Sequence, residues 1–368
     1  MTTVPDVLHA RLAIQRLLAD RLAGPAEVVA LLAAVQSQEF AHALWSLRLR
    51  SAAGSEAEVR AAFDRGEFLR THVLRPTWHL AAAEDIGWLL AVTAPRVQRL
   101  NGTMYRQHGL DQAALDRAAA TITDALAGGA ELTRAELGGL LGTSGVRLAY
   151  QVMNAELEGL VVSGAMRGAQ HTYALLAERV PADRRRSGDL AELAYRFYAG
   201  HGPASEPDLA RWATLTRRQA AEATEAAADR LTSVEVLGER LWRTPDAPEP
   251  PAEPAYGALL LPLYDELALS YPVINFPEAE RHPHPAGEDR FVGSVVVGDR
   301  NAGLWRRTAQ GGTVVVEVAL APGLPPAPYE AVRTAAAEFA GFLDRRLDLT
   351  ITGGDRVARE RPGGGGRG

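Results

Sequence analysis

The sequence predicts an α+β protein: tandem units of three helices and a β-hairpin, followed by a β-rich segment closed by a helix. Three observations predict it, all of them one order of elements repeated along the chain. From Asp111 to Ala127 runs a helical stretch, after which GGAELTRAELGGLL supplies a glycine stop, a Thr133 N-cap with Glu136 as its capping-box partner, and a short helix. Ser144 precedes a third helix, GVRLAYQVMNAELEGL, which leads into Val161-Val162, the turn GAMRGAQ and the strand HTYALL. The same order recurs with a helix at Leu190 to Ala199, Ser205 ahead of Pro207 to Trp212, Thr216 ahead of RRQAAEATEAAADRL, and a hairpin TSVEVLGERLWRT turning at Gly238. A looser copy precedes both, with helices near His9 to Leu22, Pro25 to Val35 and Ser55 to Asp64, then a hairpin-like FLRTHVLRPTWHLA from Phe68 to Ala81. Helix, helix, helix, hairpin is the winged-helix order.

After Thr244 the composition shifts to PDAPEPPAEP, a proline-rich linker that fits neither a sheet nor a helix interior. Strand patterns follow at Tyr256 to Leu263, Phe291 to Val297, Ala302 to Arg307 and Thr313 to Ala319, then an amphipathic helix from Ala327 to Leu347 and a further strand LDLTIT. The expected division is three winged-helix units, 1–108, 109–182 and 183–245, a β-rich domain with a final helix, 246–352, and a disordered tail, 353–368. Three linked units of this kind can surround a duplex in a C-shaped channel without a second copy, so a monomer is expected.

Composition excludes several chemistries. With 368 residues and 47% hydrophobic content the chain folds into more than one core. No apolar run approaches the roughly 18 to 20 residues that cross a bilayer, and MTTVPDVLHARLA has no signal-peptide hydrophobic segment, so a cytoplasmic location is expected, at the nucleoid for a DNA-acting protein. The absence of cysteine removes disulfides, zinc–thiolate sites and iron–sulfur clusters. His282-Pro283-His284 lacks a third ligand, and neither a metal nor a cofactor is expected. All 39 basic residues are arginine, so no side chain can form a lysine Schiff base. A net charge of -6 argues against a nonspecific nucleic-acid coat but leaves room for a local basic face.

One short stretch carries candidate chemistry. In AVQSQEF, Gln36 and Gln38 sit at the end of an apolar helical pattern, Val28, Leu31, Leu32 and Val35. Positions two apart on a helix point about 200° from each other, so both amides meet one cavity only where the backbone leaves helical geometry. The spacing predicts a helix terminus opening onto a cleft.

AVQSQEF, THVLRPTWHL, LLPLYDELALSYP, and VVVGDRNAGLWRR leading into TVVVEVAL together resemble, in that order and over nearly the whole chain, the winged-helix HTH_42 family of bacterial AlkZ-like DNA glycosylases, which includes the azinomycin-resistance enzyme. The resemblance implies excision of purines alkylated at N7 and unhooking of interstrand crosslinks, as self-resistance to a genotoxic natural product. The partner it implies is double-stranded DNA bearing alkylated or crosslinked purines. The family's glutamine pair falls on Gln36 and Gln38, with Ser37 at a middle position that is often aliphatic.

The chemistry of amides suits such a role. An N7-alkylated purine already carries positive charge and departs readily, so catalysis reduces to holding a water against the anomeric carbon, and a carboxamide oxygen can accept from water while its amino group bonds elsewhere. Glu39 is the rival activator by position, but it is expected to point away and cap or solvate a helix end, with a place in the cleft as the alternative. Without lysine the enzyme is expected to be monofunctional and to lack lyase activity. Candidate DNA contacts are Arg75, His79, Arg167, Arg300, Trp305 and Arg306, and the hairpins at Leu74 to Leu80 and Val297 to Arg307 are candidates for entering a groove. Of the strand neighbours Trp78 and His79, the tryptophan is expected in the core and the histidine either in the cleft or in the packing; Trp305 has packing as its alternative, and Asp265 an N-cap. A non-catalytic winged-helix regulator is the competing reading, weakened because the third helices are rich in alanine and glutamate where base-reading side chains are wanted.

Overall fold

The computed structural model describes residues 3–18, 20–250, 257–272, 292–298, 300–322, 327–353 and 356–360. Tyr256, Phe291, Asp299, His282-Pro283-His284 and the last eight residues lie outside these. In chain order the first part reads α1 (Val4–Ile14), α2 (Pro25–Leu32), β1 (Ala34–Gln36), α3 (Phe40–Arg50), α4 (Glu56–Asp64), β2 (Phe68–His72), β3 (Trp78–Ala82) and α5 (Ile86–Gln107). The middle reads α6 (Gln112–Leu126), β4 (Leu132–Thr133), α7 (Arg134–Leu141), α8 (Gly145–Leu157), β5 (Val161–Ser163), β6 (Thr172–Leu175), α9 (Leu176–Arg179), α10 (Leu190–His201), α11 (Glu206–Trp212), α12 (Arg217–Ala226), β7 (Thr232–Val236) and β8 (Glu239–Arg243). The last part is β9 (Ala258–Leu261), α13 (Glu266–Leu269), β10 (Gly293–Val297), β11 (Arg300–Gln310), β12 (Thr313–Leu320), α14 (Ala327–Phe342), β13 (Arg346–Gly353) and β14 (Arg356–Glu360). None of the described helices is long and apolar enough to cross a membrane.

By packing, residues 26–38 and 60–247 form one unit, and residues 1–25, 39–59 and 248–368 another. The first unit holds three small sheets. In one, β1 and β2 flank β3, both antiparallel to it. Between Asp111 and Leu175 the order is helix, strand, helix, helix, hairpin, with β6 between β4 and β5. The caps expected there are present: Asp111 accepts from the Ala114 amide, and Thr133 with Glu136 closes a capping box. Ser144 occupies the N-cap of α8 without a side-chain bond. Ile122, Leu126, Leu137, Leu148, Val152 and Val161 bury this segment's core. Downstream, Ser205 with Asp208 and Thr216 with Gln219 box the next two helices, and Leu237 and Gly238, both at positive φ, make the two-residue turn of the β7–β8 hairpin.

The second unit is built on a six-stranded sheet, β14-β13-β12-β11-β10-β9, in which only β12 and β13 run parallel, joined through α14. Trp45 on α3 packs edge-on against Phe339 of α14 at 5.0 Å and donates its indole N–H to the Leu260 carbonyl at 2.8 Å. Arg50 and Asp265 form a fully buried two-pronged ion pair, 2.8 and 2.9 Å, which Ser46 and Gln15 complete.

Several elements differ from expectation. Val35 belongs to β1; α2 stops at Leu32, and Ala33 at φ 60° turns the chain into the strand. α3 is absent from the sequence reading because Phe40, Ala43, Leu44, Trp45, Leu47 and Leu49 are buried around its circumference, which hides the helical period. α5 carries Pro95 inside it, a residue that reads as a breaker. α14 ends at Phe342, short of Leu347, and β14 pairs with β13 within a stretch whose glycines predicted disorder.

Candidate functional site

Both glutamines leave the helix: Gln36 ends strand β1 and Gln38 sits at a bend two residues on. β1 places Gln36 directly across from His79 of β3, and the Ser37 amide continues the ladder to the Trp78 carbonyl at 2.7 Å. Along the strand successive side chains alternate, so Gln36 and Ser37 face opposite ways. The burial follows: Ser37 is fully buried, Gln36 half-buried and Gln38 exposed. Glu39 stands at the N-cap position of α3 without a side-chain capping bond.

The residue between the glutamines is held at both backbone groups. The Ser37 carbonyl accepts from Arg70 Nε at 3.2 Å and Nη2 at 3.0 Å. Arg70 in turn lies over the Trp78 ring, its guanidinium carbon 4.2 Å from the centroid, and its own amide bonds Ser163 Oγ at 2.8 Å. Trp78 Nε1 donates to Glu156 Oε1 at 3.3 Å, and the other oxygen of Glu156 sits 2.5 Å from His72 Nδ1. The Ser37 hydroxyl is buried with no hydrogen-bond partner among the described residues.

Expectation had Trp78 in the core and left His79 between cleft and packing; the burial is the reverse on the first count, with Trp78 partly exposed and His79 fully buried. The two nitrogens of His79 have fixed roles. Nδ1 must donate to the Thr77 carbonyl at 2.9 Å, because a carbonyl only accepts, and Nε2 must accept from Arg75, 3.3 Å from Nε and 3.2 Å from Nη2, because a guanidinium only donates. Through these bonds the ring bridges the Thr77 carbonyl and the Arg75 guanidinium. Arg75 follows a tight turn: its amide bonds the Val73 carbonyl at 2.7 Å across Leu74, which is buried at φ 64°. A γ-turn of that hand is rare and strained, and such strain gathers where a loop must be held in one shape.

The other candidates divide. Trp305 is corrected to a packing residue: it is 2% exposed, donates to the Leu261 carbonyl at 2.7 Å and packs on Phe339, so no wedge is available. Arg306 pairs across strands with Glu317 at 2.7 Å, and Arg167 with Glu136 at 2.8 Å while also bonding the Glu131 carbonyl. Arg300 is exposed at the start of β11, opposite Val297. Asp265 caps α13 through the Leu267 amide, in keeping with the N-cap alternative, and its Arg50 partner is an addition. From the sequence Arg70 is, with Arg75, only a candidate basic spot expected as a solvated surface pair; the structure buries it between Leu69 and Thr71 and sets it on the Ser37 carbonyl. Burial, reinforced by Arg70 and Arg60, pushes His171 down to about 3, and burial with Arg307 nearby pushes His42 down to about 4.

With this geometry in view, the family match is informative. The profile of the DNA glycosylase AlkZ-like family matches residues 29–342, a span from just before the glutamine strand to the end of α14. The chain belongs to the AlkZ-like DNA glycosylase family. Its fold is similar to the solved structure of Streptomyces sahachiroi DNA glycosylase AlkZ, with a TM-score of 0.76 at 23% identity, covering 95% of this chain and all of that one. No curated protein matches the chain. For this AlkZ-like glycosylase, the glutamine strand, the Arg70 clamp and the Arg75–His79 pair lie in one packing unit.

Proposed function

We propose that this AlkZ-like protein is a monofunctional DNA glycosylase that hydrolyses the N-glycosidic bond of N7-alkylated purines, interstrand crosslinks included, and so protects its producer from a genotoxic natural product. One observation carries the reading: two carboxamides two residues apart, Gln36 at the end of β1 and Gln38 at the bend beyond it, whose middle residue is fixed by Arg70 and the Trp78 carbonyl. N7 alkylation gives the base a positive charge and makes it a good leaving group, so strong acid catalysis is unnecessary. Gln36 and Gln38 hold a water against the anomeric carbon as the sugar gains oxocarbenium character, and His79, neutral and committed at both nitrogens, keeps Gln36 in place from the facing strand. Winged-helix segments at 1–108, 109–182 and 183–245 read backbone shape in a channel around the duplex, with Arg75 and Arg300 as phosphate contacts and Arg167 and Arg306 joining them when their surface ion pairs open. The protein acts as a monomer and needs no cofactor.

Release of N7-methylguanine from methylated duplex tests the reading. Gln36→Ala and Gln38→Ala are each expected to lower excision by roughly 10² to 10⁴, the range of a lost positioning group, with duplex binding unchanged. The product is an intact abasic site, and borohydride traps no protein–DNA adduct. A double alanine variant as active as its parent overturns the proposal.

A further inference from the structure

In the helix, helix, hairpin order of residues 134–175, α8 stands where a DNA-reading motif keeps its recognition helix. Gln151 to Leu157 are nevertheless all buried, and α8 packs against α5 and β2, so this half of the helix meets protein where a reader would meet bases. One of those buried residues is a carboxylate. Glu156, 1% exposed, reaches His72 and Trp78, the cross-strand pair of β2 and β3 that adjoins the loop 73–77. Its Oε1 accepts from Trp78 Nε1 at 3.3 Å and its Oε2 lies 2.5 Å from His72 Nδ1, so one side chain bridges both strands. A carboxylate withdrawn from water is tolerated where its oxygens find partners, and here both do. Trp78 in turn supports the residue between the glutamines. Its carbonyl takes the Ser37 amide at 2.7 Å, and its ring lies under the Arg70 guanidinium, 4.2 Å from carbon to centroid, which holds the Ser37 carbonyl. Both backbone groups of Ser37 therefore depend on where one indole sits, and an indole has a single N–H to give, which Glu156 accepts.

We propose that Glu156 is a positioning residue for excision: by fixing the Trp78 indole it keeps Ser37, and with it the carboxamides on either side, in place. Its catalytic consequence rests on the excision reading, whereas the positioning itself does not, so the two are measured separately on the full chain. Amide exchange followed by NMR reads the positioning through the Ser37 N–H, which the Trp78 carbonyl protects. Trp78→Phe keeps a ring under Arg70 and removes only the N–H; Glu156→Met keeps the volume and removes the acceptors. Each is expected to speed Ser37 exchange about tenfold, the loss of one hydrogen bond to a charged group, with the amides of the β7–β8 hairpin unchanged. The double variant should be no worse than either single one, because both remove the same bond. Glu156→Gln retains a carbonyl for the indole and should stay within about twofold of the parent. On methylated duplex, Trp78→Phe and Glu156→Met should lower kcat about tenfold at unchanged KM, the signature of lost alignment and not of lost binding. A parent that releases no N7-methylguanine sinks the excision reading, and Ser37 exchange still decides the positioning. Parental Ser37 exchange in Trp78→Phe, faster exchange spread over the hairpin amides as well, a Glu156→Gln variant as impaired as Glu156→Met, or a change in KM alone overturns the proposal.

Discussion

Ser37 separates the two chemical roles of its neighbourhood. Its carbonyl and amide are occupied by Arg70 and Trp78, yet its hydroxyl is buried with no partner among the described residues. A buried hydroxyl that bonds to nothing has lost its hydration without compensation. Ser37→Ala removes the oxygen and little else, so it is expected to raise unfolding free energy by about 1 kcal/mol, read by urea denaturation, and to leave excision unchanged. A destabilised variant would show that the hydroxyl has a partner after all. The same backbone logic explains why a small side chain suffices between the glutamines: what matters there is the position of the carbonyl.

At the level of elements, close approach decides what the chain tolerates. α10 crosses the end of α2 at Gly200, where a methyl group would meet the Leu31 carbonyl well inside van der Waals contact. Gly200→Ala is expected to destabilise by about 2 to 3 kcal/mol through forced separation of the two helices, measured by thermal unfolding, and a variant of parental stability would refute the tight crossing. Much of this scale was legible in the sequence. The N-caps at Thr133, Ser205 and Thr216 are local hydrogen-bond chemistry and sit where residue types placed them, and the Asp208 and Gln219 partners that close the last two into boxes come from the structure. α3 was not, because a helix buried all round loses the polar face that marks its period, nor was α5, whose Pro95 imitates a terminus. The glutamine pair was legible as a departure from helix, while its true setting depended on Ala33 turning the chain and on β3 arriving from residues 78–82, a pairing that local pattern does not encode. Trp305 misled because an aromatic next to arginines has the composition of a DNA contact, and only its indole bond to Leu261 reveals a core residue.

For the whole molecule, acid is the informative variable. His171 and His42 titrate at about 3 and about 4 in the folded chain, against an unfolded value near 6.5. Between those values the unfolded chain binds the extra protons, so stability is complete above about pH 6.5 and declines as pH falls toward 4, each histidine contributing a slope of up to about 1.4 kcal/mol per pH unit. Urea denaturation at pH 7, 5.5 and 4.5 should show this, and His42→Asn should flatten it; equal slopes in parent and variant would contradict the burial of that imidazole. The packing units also have a history written into them. Arg50 and Asp265, ion-paired in the interior, stand 215 residues apart in the chain. At ribosomal speeds of about 5–20 residues per second, the arginine waits roughly 10 to 40 seconds for its counter-charge to be synthesised. Residues 39–59 thus leave the ribosome as an unfinished half whose partner follows some two hundred residues later.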